Sequence, residues 1–464
     1  MKRNKTKWIL LLILVLLAGT LLIISICDAG DKKILPSQLI ANESVSILVL
    51  LILLIPILLL SLLFILAFVK SGPQTIKAPI NKISLTQKGA VSSQSTLSKK
   101  KEDTNGPRFC MLNDIEKKKS KIQRESYDKN ITLDEFCDDF RNFAASKLKL
   151  YYDISDIRKF ISGMAVSHIL ILQGMSGTGK TSLAHAFGNF IDNPSTVIPV
   201  QPMWKERTDL IGYYNEFTKK FNETLLLEKM YEANYSQDIY VTVLDEMNIA
   251  RVEYYFAEFL SLLELPNPEE RYLDVVSDKW DTDPAQLKDG RIKLPENMWF
   301  IGTANNDDST FAISDKVYDR AMILNLDVKC ERFNAPKVSK KRLSCEAFNK
   351  LVKNAIEEFD ISGRNKKRLA LLDKYLIEHF HITFGNRIMK QIQQFIPVYI
   401  ACGGDELEAL DDMLAKKVMR KLETQNPIYL RNSAEGLISY IDELFGVDAM
   451  PNCKEFIKRL ERNA

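Results

Sequence analysis

The sequence lacks the cysteine and histidine patterns that build metal sites and disulfide frameworks. Its seven cysteines stand singly, without a C-x-x-C pair, so neither a zinc site nor a set of disulfides is expected. Free thiols in a reducing compartment are the better expectation. Two of the four histidines, His379 and His381, flank a phenylalanine in an apolar stretch and are predicted to pack rather than to bind metal.

The chain also lacks a strong excess of either charge. Its 63 Lys and Arg residues nearly balance its 60 Asp and Glu residues, for a formal net charge of +3 at pH 7. That balance favours no particular partner. The basic runs at 340–342 and 366–368 are not interleaved with aromatic residues, so the sequence predicts no nucleic-acid partner.

Two long apolar runs lie near the N-terminus, at residues 8–26 and 47–69, and neither contains a charge. Each meets the requirement of about 20 residues for a helix that spans a bilayer. Basic residues precede the first run and follow the second, so the positive-inside rule predicts a transmembrane helical hairpin with both termini in the cytoplasm. Residues 1–70 are thus predicted to anchor the chain in the cell (inner or plasma) membrane. A cleaved signal peptide is the alternative, but no A-x-A site follows the first run.

Residues 71–128 are polar and basic, with lysine runs at 99–101 and 117–119. Little in this stretch could form a core, so it is predicted to be a flexible basic linker. The lysine runs suit contact with anionic lipid headgroups. A solvated tether is the equal alternative.

Residues 174–181, G-M-S-G-T-G-K-T, match the phosphate-loop pattern G-x-x-x-x-G-K-[ST]. The apolar run at 168–173 predicts a buried parallel strand before the loop, and apolar spacing predicts a helix after it. In that setting the loop amides cradle a polyphosphate, Lys180 reaches the β- and γ-phosphates, and the Thr181 hydroxyl binds Mg²⁺. The predicted nucleotide contacts are Gly174, Met175, Ser176, Gly177, Thr178, Gly179, Lys180, Thr181 and Ser182.

A second apolar run, residues 238–244, predicts another buried strand that ends in Asp245 and Glu246. Asp245 is predicted to hold Mg²⁺ together with Thr181. Glu246 is predicted to polarise the attacking water as a general base. Neighbouring strand residues face opposite ways, so the two acids could divide these tasks. The alternative is an acidic pair that caps the next helix.

The remaining apolar pattern predicts an α/β fold. Strands are expected at 196–200, 297–303 and 321–326, with a helix at 252–263 and helix starts at Thr132 and Asp153. Strands that alternate with helices imply a parallel sheet covered on both faces. We therefore expect a large α/β domain over residues 129–335 and a small all-helical lid domain over residues 336–464.

Over residues 153–392 the chain resembles the AAA+ ATPases, in the dynein-related branch that contains MoxR-type and McrB-type proteins. Besides the two motifs above, the matching pieces are residues 204–214, 245–248, 301–306, 319–320 and 384–387. Their order and spacing agree with that family. The resemblance implies a P-loop AAA+ domain with a helical lid, which binds and hydrolyses ATP with Mg²⁺.

The resemblance implies further roles in hydrolysis. Asn305 is similar to sensor 1, Arg320 to an arginine finger that reaches the neighbouring subunit, and Arg387 to sensor 2; Lys316 is a weaker candidate for the finger. A turn asparagine, a structural ion pair and a solvent-facing arginine are the respective alternatives. An arginine that acts on a neighbour requires a ring, and the family suggests a homohexamer.

Two departures leave questions open. Residues 305–308 fit N-x-x-D, which accompanies GTP use in the McrB-type branch, so GTP is the alternative to ATP. An insert at 266–295 contains residues 272–276 and 291–294, which are predicted to pair as a hairpin. That hairpin could project toward a central pore or simply pack against the domain. The segment near Trp204 could likewise face substrate or simply pack.

The leading functional hypothesis is a membrane-anchored ATPase ring that remodels a partner protein at the cytoplasmic face of the membrane. The alternative is a nucleotide-gated scaffold that recruits an effector, such as a nuclease or a pore-forming protein.

Overall fold

The computed structural model describes residues 106–124, 126–128, 131–305 and 310–463. The predicted membrane hairpin, together with the linker as far as residue 105, lies outside the described residues. Within the described ranges, no helix is both long enough and apolar enough to cross a membrane.

Helices and strands alternate through the first two thirds of the described chain, and helices follow. As far as residue 274 the elements are α1 (Met111–Lys118), α2 (Leu133–Phe143), α3 (Ile154–Val166), β1 (Ile169–Gly174), α4 (Lys180–Phe190), β2 (Thr196–Pro199), α5 (Thr208–Ile211), β3 (Gly212–Asn215), β4 (Lys220–Glu223), α6 (Leu225–Ala233), β5 (Tyr240–Asp245), α7 (Val252–Tyr255), α8 (Ala257–Leu262) and β6 (Tyr272–Asp274). Thereafter they are β7 (Leu287–Lys288), β8 (Arg291–Lys293), β9 (Met298–Asn305), α9 (Asp315–Tyr318), β10 (Met322–Asn325), α10 (Cys345–Glu358), α11 (Gly363–Phe380), α12 (Gly385–Ala401), α13 (Glu406–Lys417), α14 (Pro427–Phe445) and α15 (Pro451–Asn463).

The central sheet has five strands in the order β10-β1-β9-β5-β2, and all of its strand pairs are parallel. Side chains of β1 alternate between two cores: Leu170 and Leu172 enter one, while Ile169 and Ile171 enter the other. Both faces of the strand are therefore buried, which explains its unbroken apolar sequence. The predicted parallel sheet, covered on both faces, is confirmed.

The C-terminal region is helical, as predicted, and its first helix starts at Cys345. Polar side chains define where four of these helices begin, because each accepts hydrogen bonds from backbone N–H groups of the first turn. These capping residues are Ser344, Ser362, Asp405 and Asn426. The connector that precedes Cys345 lies along the α/β part, where the Lys341 N–H donates to the Phe190 carbonyl at 2.8 Å.

The prediction of a flexible linker through residue 128 is wrong for residues 106–124. Phe109 and Leu112 are fully buried, so α1 is attached to the core. The Glu223 carboxylate caps this helix, since it accepts from the backbone N–H groups of Cys110, Met111 and Leu112 at 2.7 to 2.9 Å. The segment is therefore ordered by two buried apolar side chains and one helix cap, although its composition is basic.

The helix predicted at 252–263 is interrupted at Phe256, which separates α7 from α8 and has φ −107° and ψ 5°. The Phe256 ring stacks on Phe259, with centroids 4.9 Å apart, and meets Phe300 edge-on. Packing of this aromatic cluster against the sheet therefore coincides with the break in the helix.

The predicted hairpin of the insert is confirmed, because β6 and β8 pair antiparallel with Leu273 opposite Ile292. A third strand, β7, pairs with β8. Leu273 and Ile292 are fully buried in one of the two main cores. The described hairpin therefore packs against the body of the domain, which corresponds to the packing alternative.

Candidate nucleotide-binding site

The glycine-rich loop connects β1 to α4 and has the backbone that its glycines permit. Gly174 has φ 143°, and a Cβ there would lie 2.4 Å from the Leu326 carbonyl oxygen. Gly179 is the N-cap of α4 in a left-handed conformation, which non-glycine residues adopt at a cost. The first backbone N–H groups of α4 belong to Lys180, Thr181 and Ser182, and a helix start provides no acceptors for them. The loop thus forms an anion cradle at the start of a helix.

Lys180 is buried within this loop. Its Nζ donates to the carbonyl oxygens of Gly174 and Met175 at 2.9 and 2.8 Å. The ammonium group is therefore held against the first two carbonyls of the loop, beside the expected position of a phosphate.

Hydroxyl and carboxylate oxygens converge beside the loop. Thr181 Oγ1 donates to Asp245 Oδ1 at 2.7 Å, and Thr303 Oγ1 donates to the same oxygen at 2.9 Å. These are hard oxygen donors of the kind that Mg²⁺ prefers. Within the described ranges no cluster of three or more His, Cys, Asp or Glu could hold a metal by itself. Thr181 and Asp245 fit an Mg²⁺ ion whose other ligands are phosphate and water.

Glu246 does not lie on the strand, so the prediction that strand alternation separates the two acids is wrong. β5 ends at Asp245, and Glu246 follows in a left-handed conformation with φ 53° and ψ 48°. Its N–H donates to Thr303 Oγ1 at 2.8 Å, and its side chain is exposed. The turn of the backbone, rather than the pleat of the strand, directs the two carboxylates differently.

Asn305 ends β9 and lies opposite Gly174 in the parallel register of β1 and β9. The Asn248 side chain connects this point to the acidic motif, because its Nδ2 donates to the Asn305 carbonyl at 2.9 Å and to the Phe311 carbonyl at 3.3 Å. The carboxyl ends of β1, β5 and β9 therefore meet at one edge of the sheet. Residues 306–309, which complete the N-x-x-D pattern, lie outside the described residues.

Arg320 and Arg387 share one carboxylate. Arg320 Nε lies 2.8 Å from Glu264 Oε2, and Arg387 Nη2 lies 2.6 Å from Glu264 Oε1. The alternative for Arg320 is a structural ion pair with Asp319 or another acid, and within the subunit Arg320 does form an ion pair, with Glu264. The structure brings these two arginines together at Glu264 and brings Thr181, Asp245 and Thr303 together at the loop. Lys316, the weaker candidate, is exposed.

Sequence reasoning missed four residues around these groups. Thr303 carried a usable signal, since it lies two positions before Asn305 and on the same face of its strand. Asn248 lies in the matching piece 245–248, although no role was assigned to it, whereas Tyr152 and Glu264 are brought in by tertiary structure. The Tyr152 hydroxyl donates to the Gly179 carbonyl at 3.0 Å and so supports the loop from behind.

The parallel sheet, the loop and the Thr181–Asp245 pair define a P-loop nucleotide-binding domain. The family described as "AAA domain (dynein-related subfamily)" matches residues 169–321. The match covers about a third of the chain, and it supports an AAA-type domain with nucleotide binding of the ATPase type over these residues.

Comparison with solved structures finds similarity to a full-length MCM homolog from Methanopyrus kandleri. The two share 10% sequence identity and a TM-score of 0.35, over 65% of this chain and 59% of that one. The chain thus spans less than two thirds of that relative's length. A comparison with curated proteins found no match.

Proposed function

We propose that the chain is an Mg²⁺-dependent ATPase that acts in a closed ring of its own copies. The observation that carries this proposal is the 2.7 Å contact between Thr181 and Asp245. The contact lies beside the loop that encloses Lys180, and Asp245 is followed directly by Glu246. A phosphate loop, a metal-binding pair and an exposed carboxylate at one sheet edge are the parts that phosphoryl transfer to water requires.

Each residue has a defined task in this proposal. Lys180 would exchange its loop carbonyls for phosphate oxygens, and Thr181 and Asp245 would hold the ion. Bound Mg²⁺ would neutralise charge that develops on the phosphates. Glu246 would accept a proton from the attacking water, and Asn305 would orient that water.

The two arginines support the ring. Arg320 and Arg387 meet at Glu264 and not at the Thr181–Asp245 pair of their own subunit. In this proposal Arg320 acts on the nucleotide of a neighbouring copy, and Arg387 acts as sensor 2. An interface that joins one face of a subunit to a different face of the next closes into a ring by rotation, and we propose a hexamer. ATP, rather than GTP, is the proposed substrate.

The membrane part of the proposal is carried by sequence. The charge-free apolar runs at 8–26 and 47–69 favour a two-pass anchor in the cell membrane, with the ATPase on the cytoplasmic side. Hydrolysis would there remodel a partner protein.

The test is phosphate release by the purified full-length chain in detergent, with ATP or GTP and with Mg²⁺ or EDTA. We expect turnover that needs Mg²⁺ and prefers ATP. Glu246→Gln should lower kcat by roughly 100-fold or more while nucleotide binding persists. Glu346→Gln, at an exposed position in the first turn of α10, is the control. Equal turnover by wild type and Glu246→Gln would remove the assignment of Glu246, and nucleotide binding without any turnover would favour the nucleotide-gated scaffold.

A further inference from the structure

The turn that carries Arg320 is held from the helical region. Residues 319–321 connect α9 to β10, and side chains of the helical region donate to three backbone carbonyls in or next to this turn. Lys417 Nζ, at the end of α13, donates to the Tyr318 carbonyl at 2.6 Å and to the Ala321 carbonyl. Gln391 Nε2, on α12, donates to the Asp319 carbonyl at 3.0 Å. The residues on both sides of Arg320 are therefore tied to α12 and α13.

A third side chain of the helical region, that of Arg420, contacts α9 itself. The Arg420 guanidinium lies 3.4 Å from the centroid of the Tyr318 ring, and its Nη1 pairs with Asp315 Oδ1 at 2.9 Å. Cation–π and ionic contacts thus hold the two ends of this short helix. The segment that carries Arg320 is fixed to the helical region along its length.

Lys417 is the central member of this set, and it is only 4% exposed. Burial lowers the pKa of Lys417 to about 7. The nearby Asp319 carboxylate raises this pKa, while the positive charges of Arg420, Arg387 and Lys416 lower it further. An ammonium group is costly to bury unless hydrogen bonds compensate it. Its two hydrogen bonds are directional and bracket Arg320, so the side chain acts as a geometric constraint more than as a source of burial energy.

We propose that Lys417 is a positioning residue for Arg320. It holds the carbonyls of Tyr318 and Ala321, so that the backbone from which the Arg320 side chain extends is fixed to the helical region of the same subunit. The inference rests on the proposed function, in which Arg320 completes the site of a neighbouring copy. A displacement of about 1 Å at a reacting group lowers rates by up to about 100-fold, so loss of this constraint affects turnover more than nucleotide binding.

The first test compares Lys417→Met with Lys454→Met in the full-length chain. Methionine keeps most of the volume and removes the donors. Lys454 is the matched control, because its Nζ also donates to a backbone carbonyl, that of Val447, away from the Arg320 turn. Lys417→Met should lower kcat for ATP by roughly 10- to 100-fold, with KM changed by less than about twofold, while Lys454→Met keeps the wild-type kcat. A wild-type kcat for Lys417→Met, or a raised KM with an unchanged kcat, overturns the proposal.

The second test uses mixed rings. Lys417→Met copies have an intact loop and Glu246 but a misdirected Arg320, whereas Glu246→Gln copies keep a correctly held Arg320. Coexpression of the two should restore turnover above that of either variant alone, because some interfaces then combine an intact site with an intact arginine. A merely structural role for Lys417 would give no such restoration, and the absence of restoration contradicts the proposal.

Gln391→Met provides a second route if Lys417→Met does not fold. It removes only the hydrogen bond to Asp319, and it should also lower kcat at constant KM. A wild-type kcat for Gln391→Met in that case overturns the inference. A wild-type chain without turnover counts against the proposed function itself. Turnover that is sensitive to Glu246→Gln but indifferent to both positioning variants counts against the present inference alone.

Discussion

The hydroxyl of Thr181 lies 2.7 Å from Oδ1 of Asp245, although 64 positions separate the two residues in the chain. Thr181 lies in the first turn of the helix after the glycine-rich loop. Asp245 ends β5, which is two places from β1 in the sheet. The parallel order of strands produces this contact, because it gathers the carboxyl ends of β1, β5 and β9 at one edge. These two oxygens are the ones proposed to hold Mg²⁺.

Thr303→Val tests how the two acids are held. The Thr303 hydroxyl contacts Asp245 Oδ1 and the Glu246 N–H, and valine keeps its shape while removing both hydrogen bonds. We expect a loss of about 1 to 3 kcal/mol in the free energy of unfolding and a kcat lowered about tenfold. Urea denaturation and steady-state kinetics measure the two effects.

Thr242→Val is the matched control for that variant. Thr242 lies on β5 and is buried like Thr303, but its hydroxyl has no hydrogen-bond partner among the described residues. The same chemical change should therefore be neutral or stabilising there. Equal losses for the two variants would contradict the account of Thr303.

Gly302→Ala tests the packing beneath the acidic motif. A Cβ at Gly302 would lie 1.9 Å from Met247 Sδ, and Met247 is fully buried. Overpacking of this kind costs about 1 to 3 kcal/mol. Gly302→Ala should cost less in a Met247→Ala background than in the wild type, since the shorter side chain vacates the space, although Met247→Ala is itself destabilising. The expected double-mutant coupling is measured by thermal or urea unfolding, and strict additivity of the two changes would contradict the contact.

The phosphate loop and the two strand-end acids were predicted from sequence patterns, and apolar patterning placed the strands around them; the family resemblance added Asn305, Arg320 and Arg387. The strand before the loop was expected at residues 168–173 and is found at Ile169–Gly174, because a strand buried on both faces is an unbroken apolar run. The insert hairpin followed from two short apolar segments. By contrast, Phe109 and Leu112 are single apolar anchors in a basic stretch, and composition conceals such anchors.

Other features depend on contacts between distant parts of the chain. Glu264 lies on no recognisable motif, yet it joins the two arginines. Nothing in the sequence distinguishes Lys417 from other lysines at the C-terminal ends of helices, where basic residues are common. The left-handed backbone of Glu246 also has no signature in the sequence. Local patterns therefore predicted which chemistry is present, and tertiary structure determines which groups act together.

His168 should make stability depend on pH. Burial lowers the pKa of His168 from 6.5 to about 4, so between these values the unfolded chain binds a proton that the folded chain does not. The free energy of unfolding is therefore unaffected by His168 above about pH 6.5. It falls by roughly 3 kcal/mol in total as the pH drops toward 4. The ring packs on Trp299, with centroids 4.7 Å apart.

His168→Phe preserves that packing and removes the titration. Urea denaturation at pH 7 and pH 5 should show the wild type losing stability relative to the variant as the pH falls. The comparison with the variant cancels other groups, such as Asp156, whose pKa burial raises to about 6. A wild-type-to-variant difference that is the same at both pH values would contradict the neutral state of His168 in the folded chain.

The most direct measurement of the central claim is ATP turnover by the full-length chain, wild type against Glu246→Gln, with bound nucleotide quantified in the same samples. The account predicts Mg²⁺-dependent phosphate release by the wild type, and a variant that binds ATP but hydrolyses it roughly 100-fold more slowly or worse. Equal hydrolysis by the two chains, or wild-type hydrolysis that persists in EDTA, would contradict a site built from Thr181, Asp245 and Glu246.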